Sequence, residues 1–574
     1  MSKRKQEQWS SKLGVIFAVA GSAVGLGNFL RFPGLAAQYG GGAFMVAYVI
    51  SLILLGVPVG WAEWSLGRRG GLMGSNCGPG ILWKLTQGSS LWKFLGVITI
   101  LGPTAVAFYY IPIEAWCFGY MCKLLDGTEA FSTIGETRQV FGDFVGIAGD
   151  GAALTGGSLL VIALLVSVVL NLGIVYRGIS KGVEMFCRWS VPILLVISLI
   201  LLARVLTIGT PDPAYPDRNV EEGLGYMWNP NKTLLEERVE TDGVESWKVV
   251  SMAPVTNPQA MKQLHEKVSA SEGNLRLTEM TVWEGLKNVE LWIAAAGQVF
   301  LSLSVGTGLI LTYSSYLKRK DDIALSSLTA VASNEVCEVT IAGMMTIPAA
   351  VAFFGVAGAA GQGTFALGFM TLPQVFAKMH MGGVFGVLFF MLLFMAAVTS
   401  SISMMQVGLA YFEEFMGLSR KMAVVVLGFF TCCGAGVVTW FSRDLLALDT
   451  CDFWIGTMCF FLSAMVVMIL FAWKMNIKRG FADLNSYSQI RIPRFYMWIM
   501  KYVTPTMLVT LFVGWLVQNI WVKRAPALEA LLQGEKGAIV PVVFLLCYLA
   551  FLLCVTAASS RHKKWVSMKD PDEM

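Results

Sequence analysis

Apolar runs of about twenty residues recur along the whole chain, separated by polar connections, which is the length a helix needs to cross a bilayer. The pattern predicts spans near 10–37, 41–66, 90–123, 157–175, 184–208, 290–316, 324–356, 384–414, 422–441, 452–475, 499–521 and 538–557. Two of these runs are interrupted. The first holds Gly21-Ser22-Ala23-Val24-Gly25-Leu26-Gly27-Asn28-Phe29-Leu30-Arg31-Phe32-Pro33, and the sixth holds Gln298-Val299-Phe300-Leu301-Ser302-Leu303-Ser304-Val305-Gly306-Thr307-Gly308. Hydrocarbon cannot satisfy a freed backbone group or a charge, so such breaks belong where backbone lines a cavity or binds something. Either motif alone reads equally well as small residues that let helices pack closely. Two of them, five spans apart and each with polar neighbours, point instead to an inverted-repeat transporter with a polar ligand at mid-membrane.

Composition agrees with a membrane setting. Of 574 residues 55% are hydrophobic and 14% charged, against about 25% charged in soluble domains. The net charge of +5 is spread over short loops and forms no patch for nucleic acid. The 11 cysteines show no paired metal-ligand spacing, and Cys432-Cys433 reads as packing. His265, His380 and His562 stand apart, so no metal cluster of that kind is expected. No nucleophile–base pair emerges, and the chain is not read as an enzyme.

Loop charge then sets the topology. Arg68/Arg69/Lys84/Lys93, Arg177/Lys181/Arg188, Lys318/Arg319/Lys320, Arg420/Lys421 and Lys474/Lys478/Arg479/Arg491/Arg494 alternate with loops poorer in positive charge. The segment with Asp126, Glu129, Glu136, Asp143 and Asp150 is acidic. The positive-inside rule therefore places both termini in the cytoplasm, with Lys523/Arg524 as the exception. Lys3, Arg4 and Lys5 precede an apolar run without an obvious cleavage site, so the start reads as an uncleaved first span. The expected fold is an all-α integral membrane protein of about twelve spans, multi-pass in the plasma (inner) membrane. Residues 10–208 would form a first repeat of five spans and 290–475 a second. Residues 476–574 would hold spans eleven and twelve and a cytoplasmic tail. Between the repeats, 209–289 is a long extracytoplasmic loop that opens Pro211-Asp212-Pro213-Ala214-Tyr215-Pro216. It is expected to carry short helices, as a tolerated surface insertion or a vestibule cover. Asn231-Lys232-Thr233 matches a glycosylation sequon.

Trp9 to Gly71, with GSAVGLGNFLRFP and GGGAFMVAYVI, resembles the start of the neurotransmitter:sodium symporter family. The resemblance continues through Tyr109-Tyr110, Gln298–Gly308, Ser333-Asn334-Glu335, IPAAVAFFG at Ile347–Gly355, Thr399-Ser400-Ser401 and DTCDFWIGT at Asp449–Thr457. It covers spans one to ten in order and implies the leucine-transporter fold: a 5+5 inverted repeat with helices 1 and 6 broken.

The resemblance implies sodium-coupled symport of an amino acid, with two sodium sites. The first would use the Ala23 carbonyl, Asn28, Ser302 and Asn334, completed by the substrate carboxylate. Serine stands at 302 where the family commonly has threonine, and it keeps the hydroxyl. The second would use the carbonyls of Gly21, Val24 and Ala396 and the hydroxyls of Thr399 and Ser400. Taken alone, Thr399-Ser400-Ser401 reads as a helix-packing motif. The substrate carboxylate would meet N–H groups near Leu26 and Gly27 and the Tyr110 hydroxyl, and its ammonium the carbonyls of Ala23, Leu301 and Ser304. Val106, Leu301, Thr307, Ser400 and Met404 would surround the side chain, with Ser22 close by. Leu301 and Thr307 replace phenylalanines of the leucine transporter, which favours a larger neutral amino acid, aromatic or branched.

By the same resemblance Arg31 and Asp452 are an extracellular gate pair, and Trp9, Tyr316 and Glu414 belong to the cytoplasmic gate. The family's arginine before the tryptophan is Gln6 here, with Arg4 and Lys5 displaced, implying a shifted inner latch. Glu63 is expected to bond unwound backbone between spans one and six. Glu338 falls where chloride-dependent relatives have serine, so its carboxylate would substitute for chloride; a salt-bridged helix residue is the rival reading. The partners implied are a small amino acid and the lipid bilayer, and no nucleic acid. A transporter-like amino-acid sensor that binds without translocating is the alternative function.

Overall fold

A computed structural model describes residues 9–155, 157–241, 244–254, 258–271, 273–360 and 363–559. Among them ten helices are long and apolar enough to cross a membrane: Gly42–Leu72, Ser90–Asp126, Ser158–Tyr176, Ile179–Leu206, Ile323–Phe354, Gly382–Phe415, Arg420–Trp440, Arg443–Lys474, Phe495–Val522 and Lys536–Ser559. An eleventh crossing is the pair Gly14–Ala23 and Gly27–Gln38, bent by 40°. The expected sixth span is two helices, Val289–Ser302 and Leu309–Ser314, each too short to cross alone. In chain order these correspond to the twelve apolar runs, and they are called spans 1 to 12 below.

Local chemistry accounts for where several of them begin. Ser11, Asn288 and Asp322 accept the backbone N–H of Gly14, Glu290 and Leu325, satisfying donors that a helix start leaves free. In the second half of span 1, Pro33 sits in the first turn, where its missing N–H costs nothing.

Burial separates the spans into two classes. In span 3 the most apolar window is 83% buried, whereas in spans 4, 5 and 12 it is 33% buried, so span 3 is central and the others face lipid. Spans 1, 3, 6 and 8 surround one continuous core, and the candidate site lies inside it.

The insertion between spans 5 and 6 carries short helices, Val220–Trp228, Pro258–Ser269 and Val282–Lys287, and adds strands that the sequence reading did not expect. It forms an antiparallel sheet in the order β2-β1-β3, from β1 (Lys232–Thr241), β2 (Val244–Pro254) and β3 (Leu275–Met280). Leu235 and Ala253 pack with Leu264 of the helix Pro258–Ser269, while Leu234 and Met252 join the membrane core. Both faces are thus covered and the register shifts between Leu235 and Glu236, which removes the polar–apolar alternation that marks a strand. Asn231 of the sequon accepts the Val282 N–H at 2.9 Å, and Thr233 is buried. Lys232 is fully buried; its Nζ donates to the Tyr226 carbonyl and lies 4.2 Å from that ring's centre. Burial lowers its pKa to about 7. Tyr226 in turn donates its hydroxyl to the Ala37 carbonyl of span 1 at 2.7 Å. Lys523, the charge exception, pairs with Glu290 at 2.6 Å.

Candidate cation and substrate site

The break in span 1 falls at Val24–Leu26, and side chains from three other spans satisfy the backbone it frees. Asn28 Oδ1 accepts the Gly25 N–H at 2.9 Å, and the Tyr110 hydroxyl accepts the Leu26 N–H at 3.1 Å. Gln298 donates to the Gly27 carbonyl at 3.1 Å. The Ser22 carbonyl accepts the Ser304 hydroxyl at 3.1 Å and the Ser400 hydroxyl at 3.2 Å. Without these partners each buried group would carry a desolvation cost of about 1–3 kcal/mol.

Span 6 is interrupted from Leu303 to Gly308, where Ser304, Gly306 and Gly308 have φ of +54°, +70° and +83°. A side chain at Gly308 would also run into the backbone of Thr99. Glu63 of span 2 holds the loop open, accepting the N–H groups of Gly306 and Gly308 at 3.2 Å each. Thr307 spends its hydroxyl within the loop, donating to the Ser304 carbonyl at 2.8 Å and accepting the Leu309 N–H at 3.2 Å.

At the first cation position the structure brings Asn28, Ser302 and Asn334 together. Asn28 donates to Asn334 Oδ1 at 2.8 Å, and Asn334 donates to the Ser302 hydroxyl at 2.6 Å. All three converge on Glu338: Ser302 donates to Oε2, as do Asn334 at 3.1 Å and Asn28 at 3.3 Å. Gln298 takes the other oxygen at 2.5 Å. These side chains are inaccessible to solvent or nearly so. Glu338 therefore sits in a cage of neutral donors, and among the described residues it forms no ion pair. The oxygens that Asn28, Ser302 and Asn334 carry beside this carboxylate are of the hard type that would suit a hard cation. Gln298 was quoted in the sequence only as part of a motif; its polar type inside an apolar span was the available signal. Next to the cage, Glu335 accepts the Tyr48 hydroxyl at 3.1 Å.

The residues expected at a second cation position lie where the end of the first half of span 1 meets span 8. An added Cβ on Gly21 would lie 3.5 Å from Thr399 Cβ. The Thr399 hydroxyl donates to the Ala396 carbonyl at 2.9 Å, and Ser400 reaches Ser22 as described. Val24, at the break, ends the first half of span 1 and donates its N–H to the Ala20 carbonyl at 2.7 Å.

A cavity of about 280 Å³ opens beside these positions. Leu26, Gly27, Val106, Tyr110 and Leu301 line it together with Leu30, Arg31, Tyr109, Phe365, Asp449 and Asp452. Ser22, Ala23, Ser304, Thr307, Ser400 and Met404 are buried and lie off its wall. Arg31 and Asp452 both face the cavity without forming an ion pair, and Asp452 accepts the Tyr109 hydroxyl at 2.9 Å instead. Arg31 Nη1 is buried with no hydrogen-bond partner. The gate pair also lines a second space of about 500 Å³, which continues between Tyr39, Glu290, Trp515 and Lys523.

On the opposite side the chain is closed. Trp9 is buried, donates its indole N–H to the Tyr313 carbonyl at 3.1 Å, and meets the rings of Tyr313 and Tyr316 edge-on at 5.2 and 6.5 Å. Gln406 donates to the Tyr316 hydroxyl at 3.3 Å. Glu184, which the sequence did not single out, binds the Ser10 N–H at 2.9 Å and the Ser10 hydroxyl. Glu414 stands apart from Trp9: it accepts the Ser75 hydroxyl at 2.7 Å and the Asn76 N–H at 2.8 Å, and Asn76 accepts Ser315 at 3.2 Å. Arg4, Lys5 and Gln6 lie outside the described residues.

The family model described as the sodium:neurotransmitter symporter family matches residues 6–139 and 271–558. An uncharacterized sodium-dependent transporter of Haemophilus influenzae is 25% identical over 527 residues, covering 89% of this chain and 99% of its own. The sodium-dependent dopamine transporter of Bos taurus is 24% identical over 596 residues, covering 97% of this chain and 76% of its own. Among solved structures, MhsT in complex with L-phenylalanine superimposes with a TM-score of 0.68 at 24% identity, covering 89% of this chain and all of that one.

Proposed function

This chain belongs to the sodium:neurotransmitter symporter family, and on that premise we propose that it couples sodium entry to uptake of a bulky neutral amino acid, aromatic or branched. The observation that carries the reading is the convergence of Asn28, Ser302, Asn334 and Glu338 where the two broken spans meet span 7. One sodium ion binds Asn28, Ser302, Asn334 and the Ala23 carbonyl, and the substrate carboxylate completes its shell. Substrate and ion then each build the other's site, which is the coupling. A second sodium ion binds the carbonyls of Gly21, Val24 and Ala396 and the hydroxyls of Thr399 and Ser400.

The substrate carboxylate meets the N–H groups of Leu26 and Gly27 and the Tyr110 hydroxyl, and its ammonium meets the carbonyls of Ala23, Leu301 and Ser304. The side chain occupies the cavity beside Val106 and Leu301, and binding extends it towards Thr307 and Met404. Leucine and threonine at 301 and 307 leave room there, and the relative MhsT was solved with L-phenylalanine. Glu338 supplies a fixed negative charge beside the first cation, so chloride is not required. Arg31 and Asp452 close over bound substrate from the extracellular side while Trp9 and Tyr316 seal the cytoplasmic side. Alternation between the two is the transport step, with both termini cytoplasmic in the plasma membrane.

Proteoliposomes with an inward sodium gradient test this directly. Labelled phenylalanine, tryptophan or leucine accumulates above equilibrium, collapses with the gradient, and is indifferent to chloride replacement. Sodium-dependent binding without accumulation would instead establish a sensor.

A further inference from the structure

Glu114 of span 3 is a fully buried carboxyl that plays no part in the sites above. Its Oε1 and Oε2 lie 2.8 and 3.1 Å from Asn171 Nδ2 of span 4, and Oε2 lies 2.8 Å from the Ser401 hydroxyl of span 8. Ser401 Oγ is also 2.6 Å from Asn171 Oδ1 and 3.1 Å from the Val398 carbonyl, and Asn171 Nδ2 is 2.9 Å from the Ser167 carbonyl. No ion pair reaches Glu114 among the described residues; Tyr110 and Cys117 of its own span are the titratable groups near it.

The hydrogens can be counted. Ser401 has a single hydroxyl hydrogen, and its closest contact is Asn171 Oδ1. With that hydrogen spent, an ionised Glu114 would set two bare oxygens against each other at the Ser401 contact. Reversing the Asn171 amide frees the Ser401 hydrogen for Glu114 but turns Asn171 Oδ1 onto Glu114 Oε1 and the Ser167 carbonyl. Either orientation therefore needs one more hydrogen; the Ser167 hydroxyl, buried with no hydrogen-bond partner among the described residues, does not supply it at the Ser401 contact, and the Glu114 carboxyl is placed to carry it.

We propose that Glu114 is kept as the neutral acid and is a positioning residue: its O–H fixes Ser401, and with it the turn of span 8 that presents Thr399 and Ser400 to the second sodium ion. The inference rests on the second sodium site proposed above. It makes this buried carboxyl a neutral clasp of spans 3, 4 and 8.

Glu114→Gln keeps one donor and one acceptor in the same places, whereas Glu114→Ala removes both. In sodium titrations of substrate binding, Glu114→Gln stays within about threefold of the native protein. Glu114→Ala weakens apparent sodium affinity about tenfold, with substrate affinity at saturating sodium unchanged. Infrared spectra of the native protein contain a protonated-carboxyl band that Glu114→Gln removes and Ser401→Ala shifts. A missing band, a band that Ser401→Ala leaves in place, or a Gln variant as weak as the Ala variant would overturn the proposal. Thr399→Ala judges the sodium site separately: unchanged sodium affinity there would sink the site reading while the infrared band still reports on Glu114.

Discussion

Asn28 of span 1 donates to Asn334 of span 7 at 2.8 Å, both side chains wholly inaccessible, and this contact ties the broken segment to the cage around Glu338. The same Asn28 accepts the freed Gly25 N–H, so it serves the backbone break and the cation position together.

Asn28→Ala leaves that N–H and the Asn334 oxygen unpaired, at about 1–3 kcal/mol each. Sodium-dependent substrate binding is expected to vanish or weaken by more than about thirtyfold. Scintillation-proximity binding at graded sodium checks this, and native affinity in the variant would remove Asn28 from the site.

Glu63 is the acceptor for two N–H groups of the span 6 loop. Glu63→Ala strands both, with an expected loss of about 2–4 kcal/mol. Thermal denaturation in detergent should show a lowered midpoint along with lost binding.

Glu338→Ser removes the fixed charge but keeps a hydroxyl among the same donors. Binding by this variant is expected to require chloride, read as recovery when gluconate is exchanged for chloride. Chloride-independent binding by the variant would show that the charge is supplied elsewhere.

Asp452 now takes the Tyr109 hydroxyl and must leave or share that bond to reach Arg31. Asp452→Ala should therefore speed substrate dissociation about tenfold while changing sodium affinity little. Tyr109→Phe should slow dissociation, because it frees Asp452 for the arginine. Parallel off-rate and sodium-titration measurements separate the two effects.

Lys232 lies outside the spans, and burial lowers its pKa from the ordinary 10.5 of a lysine to about 7. Between those values the unfolded chain binds the proton and the folded one does not. Stability of the insertion therefore rises with pH from about 7 towards 10.5 and is lowest below 7. Melting midpoints of the native protein should climb over that window relative to Lys232→Met, whose profile lacks the slope. Parallel profiles would refute the buried-lysine account.

Apolar length and the placement of glycine, asparagine, arginine and proline within apolar runs are local properties. The twelve crossings and both interruptions could accordingly be read from the chain, and matching motifs extended that reading to Asn28, Asn334 and Glu338. The sheet at Lys232–Met280 could not, because its two faces are covered by different partners and the alternation is lost. Nor could the clasp of Glu114 with Asn171 and Ser401, the hold of Glu184 on Ser10, or the closure of Lys523 on Glu290. Each joins residues far apart in the chain, and a polar side chain inside a membrane protein takes its meaning from the neighbour that satisfies it. Only packing of the spans against one another selects that neighbour, and with it whether a buried carboxyl faces enough donors to stay charged or must keep its proton.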